Sequence, residues 1–413
     1  MSEQWDVVVV GGGPAGMMAA GRASELGARV LLVEKNSTLG KKLLITGGGR
    51  CNVTNAQPDT RLFLEKFRRN GKFLFSAFSQ WSVKESLDFF NSRGMRTKVE
   101  NELRAFPASN TAQSVWDVLV GYLSEQKVTV RSNSPVVALV QEEGVLVGVE
   151  LKNKKVVRAK KIIIATGGTS RPETGATGDA YAWLKSIGHE VVVPTPSLVP
   201  VATREGWVKK LAGVSMAAKV VVLQSGIKQQ EAKGKLLFTH VGLSGPLILN
   251  MSRDIGELLQ YGEVALSLDL LPSEDYATLN TKLQELFKTH DKKKLRNALS
   301  DLVPAALAPI LAELSGVAPE VSCHSITRAE RLRLVHLLKA VPLTVEKLLG
   351  TDKAIITSGG VSLSEVDFKT MQSRLYPNLF LVGDVLNIDR PSGGYSLQLC
   401  WTTGFVAGTA AAS

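Results

Sequence analysis

Trp5 to Val10 form a short apolar run rich in β-branched residues, and Gly11-Gly12-Gly13-Pro14-Ala15-Gly16 follows at once. Small residues then continue at helical spacing to Leu26, and Gly27 stops them. This pattern predicts a strand, a tight turn and a helix. A second apolar run, Ala28 to Val33, ends in Glu34. In the order G-x-G-x-x-G, Gly11 permits the turn, Gly13 lets backbone approach a pyrophosphate, and Gly16 lets helix and strand pack closely. The helix start turns unpaired N–H groups towards anions, and a carboxylate after the second strand suits ribose hydroxyls. Strand, helix, strand and acid in register predict a bound dinucleotide.

Two later segments repeat the theme. Lys160 to Ala165 reads as a buried strand ending in Thr166-Gly167-Gly168, where small residues admit a ligand to the backbone. Leu379 to Val382 reads as another, followed by Gly383-Asp384 and by Gly393-Gly394-Tyr395-Ser396-Leu397-Gln398, which opens a small-residue helix. A nicotinamide dehydrogenase needs only the first unit. Signals spread this far along the chain predict FAD, with Asp384 accepting a ribityl hydroxyl and the last helix aiming N–H groups at the pyrimidine edge of the flavin.

Between about Thr195 and Thr344 this pattern lapses, and Pro194, Pro196 and Pro200 mark the boundary. Residues 213–270 alternate short β-rich runs with glycine turns, which predicts a small barrel or sandwich. From Ser273 to Val341 the pattern is helical. The expected architecture is therefore α/β: a discontinuous FAD-binding Rossmann-type domain of the glutathione-reductase-like or fumarate-reductase-like kind over 1–193 and 345–413, a β-rich insert over 194–272, and a basic helical insert over 273–344.

Composition narrows the function classes. Three cysteines, Cys51, Cys323 and Cys400, are too few for a disulfide framework and form no CxxC pair. No bound metal is expected. No membrane span or secretory leader is read, so a cytoplasmic location is expected. Lysine and arginine number 49 against 38 acids, a net charge of +11, which favours an anionic partner or a basic solvated surface. In the helical insert, Lys288, Lys292, Lys293, Lys294 and Arg296 cluster, then Arg328, Arg331, Arg333, His336 and Lys339; this surface is a candidate for ribosomal RNA phosphates or an ordinary helix face.

The string Gly40-Lys41-Lys42-Leu43-Leu44-Ile45-Thr46-Gly47-Gly48-Gly49-Arg50-Cys51-Asn52-Val53-Thr54-Asn55 carries a resemblance, with Leu237 to Pro246, Ile356 to Val361 and Gly383 to Gly404. Together these resemble the BaiN/RdsA-like (YhiN-like) NAD(P)/FAD-dependent oxidoreductases over essentially the whole chain. Asp384 and Ser396 stand where many such proteins have Glu and Asn. The resemblance implies FAD held by Gly11, Gly13, Pro14, Ala15 and Gly16, by Glu34, Lys35 and Lys42, and by the loop Thr46, Gly47, Gly48, Gly49, Arg50, Cys51 and Asn52. It extends the set to Val136, to Ala165, Thr166, Gly167 and Gly168, and to Gly383, Asp384, Gly394, Tyr395, Leu397 and Gln398. Lys42 and Arg50 offer charge to a pyrophosphate, and consecutive glycines expose main-chain N–H groups.

The resemblance also implies reduction of an activated C=C bond, either in conjugated steroids or in uridine of ribosomal RNA. NADH or NADPH is expected as a transient reductant, because the chain has no second G-x-G-x-x-G domain and no redox cysteine pair. Cys51, Tyr395 and Arg50 are the candidate proton-handling residues. Beside Arg50 the Cys51 thiol is open to acidification or to a structural role. His240 is a further candidate, read as a structural turn. The leading reading is uridine reduction in 23S rRNA. The alternatives are a small-molecule ene-reductase or amine oxidase, and a non-enzymatic RNA-binding flavoprotein.

Overall fold

The computed structural model describes residues 4–413. The opening run forms a strand, Gln4–Val10, buried from Val7 onward, and the helix Pro14–Glu25 follows the glycine turn. The first strand pairs in parallel with Val30–Val33 on one side and with Val156–Ile164 on the other. Thr129–Arg131 extends the sheet in parallel beyond Val30–Val33. Beyond Val156–Ile164 the sheet divides. An antiparallel meander, Val136–Glu142 and Val145–Leu151, pairs with that strand's beginning, and Leu379–Leu381 runs parallel along its end. The result is a seven-stranded mixed sheet with the parallel core of a Rossmann-type FAD-binding fold.

The last helix, Tyr395–Ala412, lies against Pro14–Glu25 at a separation only small residues allow. A Cβ added at Gly404 would stand 2.5 Å from the Ala15 carbonyl oxygen, and one at Gly408 equally close to that of Ala19. Gly16 is tighter still, at 1.9 Å from the Gly11 carbonyl oxygen. The turn, the first helix and the last helix thus form one block whose apolar faces continue into the main core.

Packing divides the described chain into two compact units, 4–196 with 354–413 and 197–353. Val201–Thr203, Gly242–Ser244, Ile227–Phe238, Ser215–Gln224, Val264–Asp269 and Val341–Leu348 close into a six-stranded barrel in that order. The β-rich and helical stretches lie in one unit. Barrel residues such as Val220 and Leu266 share one hydrophobic core with Leu283, Leu311 and Leu334 from the helical stretch. The unit also extends past 344, because Val341–Leu348 pairs on both edges as a barrel strand. No described helix is long and apolar enough to cross a membrane.

Candidate active site

In the first unit a cleft opens at the carboxyl ends of the parallel strands. It is lined by Gly11, Gly13, Pro14 and Ala15 from the first turn, Glu34 and Lys35 after the second strand, Lys42 and Thr46, Val136, Ala165 to Gly167, and Asp384 and Leu397. Fourteen positions far apart in sequence are thereby brought to one hollow. The cleft also takes residues that sequence reasoning missed: Trp183, Ile355, Ile356, Arg390 and Cys400. Trp183, Ile355 and Cys400 carry no local chemical signal, and an arginine six residues after an acid gives no periodic one.

At the first turn, Gly11 has φ +105°, and the helix Pro14–Glu25 begins without a side-chain cap and without an acid in its first turn. Its N–H groups are therefore open to an anion. Gly13 faces free space, with nothing within 4 Å of where a Cβ would stand. Glu34 is buried and oriented: Oε2 accepts from Gly12 N at 2.7 Å, and Oε1 accepts from Asn36 N at 2.7 Å and Asn36 Nδ2 at 2.8 Å. Across the cleft, Thr166 Oγ1 is buried with no hydrogen-bond partner among the described residues, a cost that a ligand would remove.

The far end is held by charge. Asp384 Oδ1 accepts from Arg390 Nη2, and Asp384 Oδ2 lies 3.4 Å from Lys42 Nζ, which also donates to Ser170 Oγ at 2.6 Å. Burial pushes the Asp384 carboxyl up, but the Arg390 and Lys42 cations outweigh it and hold it below the usual carboxylate range. Arg390 is itself buried, donating to the Ile388 carbonyl at 2.8 Å and to Ser396 Oγ at 3.1 Å. Lys35 is clamped between Thr177 Oγ1 at 2.6 Å and Asp179 Oδ2 at 2.7 Å.

An open phosphate-accepting helix start, an oriented carboxylate, an orphaned hydroxyl and a paired acid at the opposite end fit FAD. Gly11 to Ala15, Glu34, Thr166 and Asp384 are the residues that would hold it.

Several expected site residues fall elsewhere. Gln398 is fully buried in a side-chain network, donating to Ser82 O, Ser86 Oγ and Thr402 Oγ1 at 3.0, 2.8 and 3.1 Å and accepting from Thr54 Oγ1 at 2.7 Å. It joins core elements and does not face the cleft. Cys51 is also fully buried, and loss of water pushes its thiol up to about 12, opposite to an acidified thiol. Arg50 points away from it, pairing with Glu100 at 2.5 Å, donating to Asn110 at 2.7 Å and lying 4.2 Å over the Phe106 ring. Tyr395 packs against Phe63 and Phe67, its centroid 4.7 Å and 6.0 Å from theirs, and burial raises its phenol.

Gly47, Gly48 and Gly49 all have positive φ and carry the exposed turn past Thr46. Asn52, its amide oriented as its neighbours require, donates to Thr54 O and Ala105 O and accepts from Gly394 N. Gly168 abuts Thr357, Gly383 N donates to Thr403 Oγ1, and both serve packing. In the second unit His240 is exposed in a turn closed by Thr239 N donating to Gly242 O at 2.8 Å.

The HI0933-like protein Rossmann domain model matches residues 5–410. The chain belongs to that HI0933-like family. It is 32% identical over 412 residues to the 3-dehydro-bile acid delta(4,6)-reductase of Clostridium scindens, covering 98% of each chain. It is 32% identical over 405 residues to the ribosomal RNA dihydrouridine synthase of Escherichia coli, covering 97% of this chain and 96% of that one. Among solved structures, an open flavocytochrome c3 fumarate reductase matches with TM-score 0.55 at 18% identity, over 100% of this chain and 78% of the other. A 3-ketosteroid-delta4-(5alpha)-dehydrogenase from Rhodococcus jostii matches with TM-score 0.53 at 16% identity, over 99% and 97%. These structures share the fold, and the family makes the chain an FAD-dependent oxidoreductase.

Proposed function

We propose that this chain is an NAD(P)H-fed FAD enzyme that saturates a carbon–carbon double bond conjugated to a carbonyl, and that its substrate is a uracil base in ribosomal RNA. The observation that carries the reaction type is the pair of full-length relatives, one named for a bile-acid delta(4,6) reduction and one for dihydrouridine synthesis. An unsaturated ketone and a uracil share one electronic feature, a double bond polarised by an adjacent carbonyl. Each takes a hydride at the far carbon and a proton at the near one, while NAD(P)H becomes NAD(P)⁺. Bound FAD supplies the two-electron carrier between them.

The chain's residues position and insulate. Gly11 to Ala15 and the uncapped helix start would hold the phosphates of FAD, Glu34 would orient its ribose, and the Arg390–Asp384–Lys42 cluster would fix its opposite end. Cys51 is buried with its thiol pushed up to about 12, and takes no part in proton transfer in this reading. The net charge of +11 favours RNA over a neutral substrate, and a base to be reduced leaves its stack before the reaction. A small unsaturated ketone is the second reading, supported by the equal identity to the bile-acid enzyme.

Mass spectrometry of ribosomal RNA nucleosides tests the substrate. Deleting the gene is expected to remove a dihydrouridine that the intact gene restores. Unchanged dihydrouridine would overturn the RNA reading.

A further inference from the structure

We propose that RNA docks on the Arg61–Lys72 face of the flavin-binding unit and not on the basic helices of the barrel unit; this rests on the RNA reading above. Residues 61–72 carry Arg61, Lys66, Arg68, Arg69 and Lys72 against a single acid, Glu65. They span the helix Thr60–Glu65, a short 3₁₀ turn, Arg68–Asn70, and the start of the helix Gly71–Gln80, and all five cations are exposed. Arg61, Lys66, Arg69 and Lys72 have no carboxylate partner among the described residues. Nearby Asp59 is already engaged, capping its helix through Arg61 N and Leu62 N.

Several of the barrel unit's cations are already neutralised, and Lys288, Lys292 and Lys293, which are exposed without a carboxylate partner among the described residues, serve as the control below. Lys294 and Arg296 pair with Glu320, Lys282 with Glu274, and Lys339 is buried on Asp269 while donating to the Leu271 carbonyl. Paired cations of this kind release few counterions when a polyanion arrives, so they add little to RNA affinity. The Arg61–Lys72 face also has what base stacking requires: Phe75 is 43% exposed on the second of its helices.

The face adjoins the cleft wall. Asn70 Nδ2 donates to the Asn387 carbonyl at 3.0 Å, and Phe63 and Phe67 pack against Tyr395. Asn387 and Tyr395 are the sequence neighbours of Ile388 and Ser396, which bind Arg390 where it lines the cleft. A strand held by phosphates here has its displaced base beside that wall.

The test uses the FAD-loaded full chain and a fluorescein-labelled single-stranded RNA containing uridines, with anisotropy measured across salt concentrations. One variant carries Arg61→Gln, Lys66→Gln, Arg69→Gln and Lys72→Gln; a control carries Lys288→Gln, Lys292→Gln and Lys293→Gln. Each lost phosphate contact lowers the log–log salt slope by about 0.7 for single strands, so four lower it by about 2.8. Between 50 and 200 mM salt that removes about fifty-fold of the parent's salt sensitivity. The first variant is expected to show this loss with FAD content and enone reduction retained, Arg61→Lys with Arg69→Lys to bind as the parent does, and the control to keep the parent slope.

Parent-like binding by the first variant, or loss confined to the control, would overturn the docking surface and leave the RNA reading standing. A parent that binds no RNA would overturn both. Equal capture of vesicles of anionic lipid by the face, with no preference for RNA, would also overturn the proposal.

Discussion

Removing the Asp384 carboxylate strands a buried cation. The Arg390 side chain is 1% exposed and Asp384 is its only carboxylate partner among the described residues, with Lys42 3.4 Å from the same acid. Asp384→Ala leaves two cations facing each other with no countercharge, and breaking a buried pair in this way costs about 3–5 kcal/mol. Against a total stability of about 5–15 kcal/mol, that is a large fraction. Asp384→Asn keeps an acceptor for Arg390 without the charge and falls between the two. The double variant Asp384→Ala with Arg390→Met is expected to recover most of the loss, because an apolar replacement of a buried pair is often neutral. Urea unfolding of each variant, followed by tryptophan fluorescence, measures this. A loss below about 1 kcal/mol in Asp384→Ala, or a double variant no more stable than the single, would refute the reasoning. The same pair sets an acid limit. Because the folded Asp384 carboxyl is held below its unfolded value near 3.9, its contribution is fully present above that pH and is lost as pH falls through the folded value.

Gly13→Ala separates fold from cofactor: φ is −79° and the added methyl meets nothing in the protein, so stability should stay near the parent's while absorbance spectra show FAD lost on gel filtration. Cys51→Ala should keep the parent pH–rate profile, since a buried thiol pushed up to about 12 carries no proton traffic; a shifted profile would contradict this. Gln398→Ala should lower stability by about 1–3 kcal/mol for each buried group left unpaired, with the spectrum of bound FAD unchanged. A blue-shifted or quenched flavin band in that variant would return Gln398 to the cleft.

The FAD unit was legible where the signal is local. A β-branched run, glycines at turn spacing and an acid at a strand end each report on a few consecutive residues, and the structure brings Gly11, Glu34, Ala165 and Asp384 to one cleft. Side-chain direction was not legible. Gln398 belongs to the helix opening at Gly394, but its face of that helix points to Ser82 and Ser86, more than 300 residues away in sequence. Arg50 and Cys51 are neighbours in sequence, yet one reaches out to Glu100 and the other turns into the core. Arg390 was overlooked because its partner is known only once the Gly383–Val385 turn is folded. The proline cluster at 194–200 surrounds the start of the second unit at 197, whereas strand Val341–Leu348, which carries that unit past 344, closes a barrel whose first member lies 140 residues earlier and so leaves no local signal.

The most direct test of an FAD enzyme acting on a carbonyl-conjugated double bond is anaerobic: the yellow protein is reduced with NADPH or NADH, then mixed with unmodified ribosomal RNA in one cuvette and a conjugated enone in another. The account predicts return of the oxidised flavin spectrum with RNA and dihydrouridine in the product. A flavin that stays reduced with both substrates would contradict it.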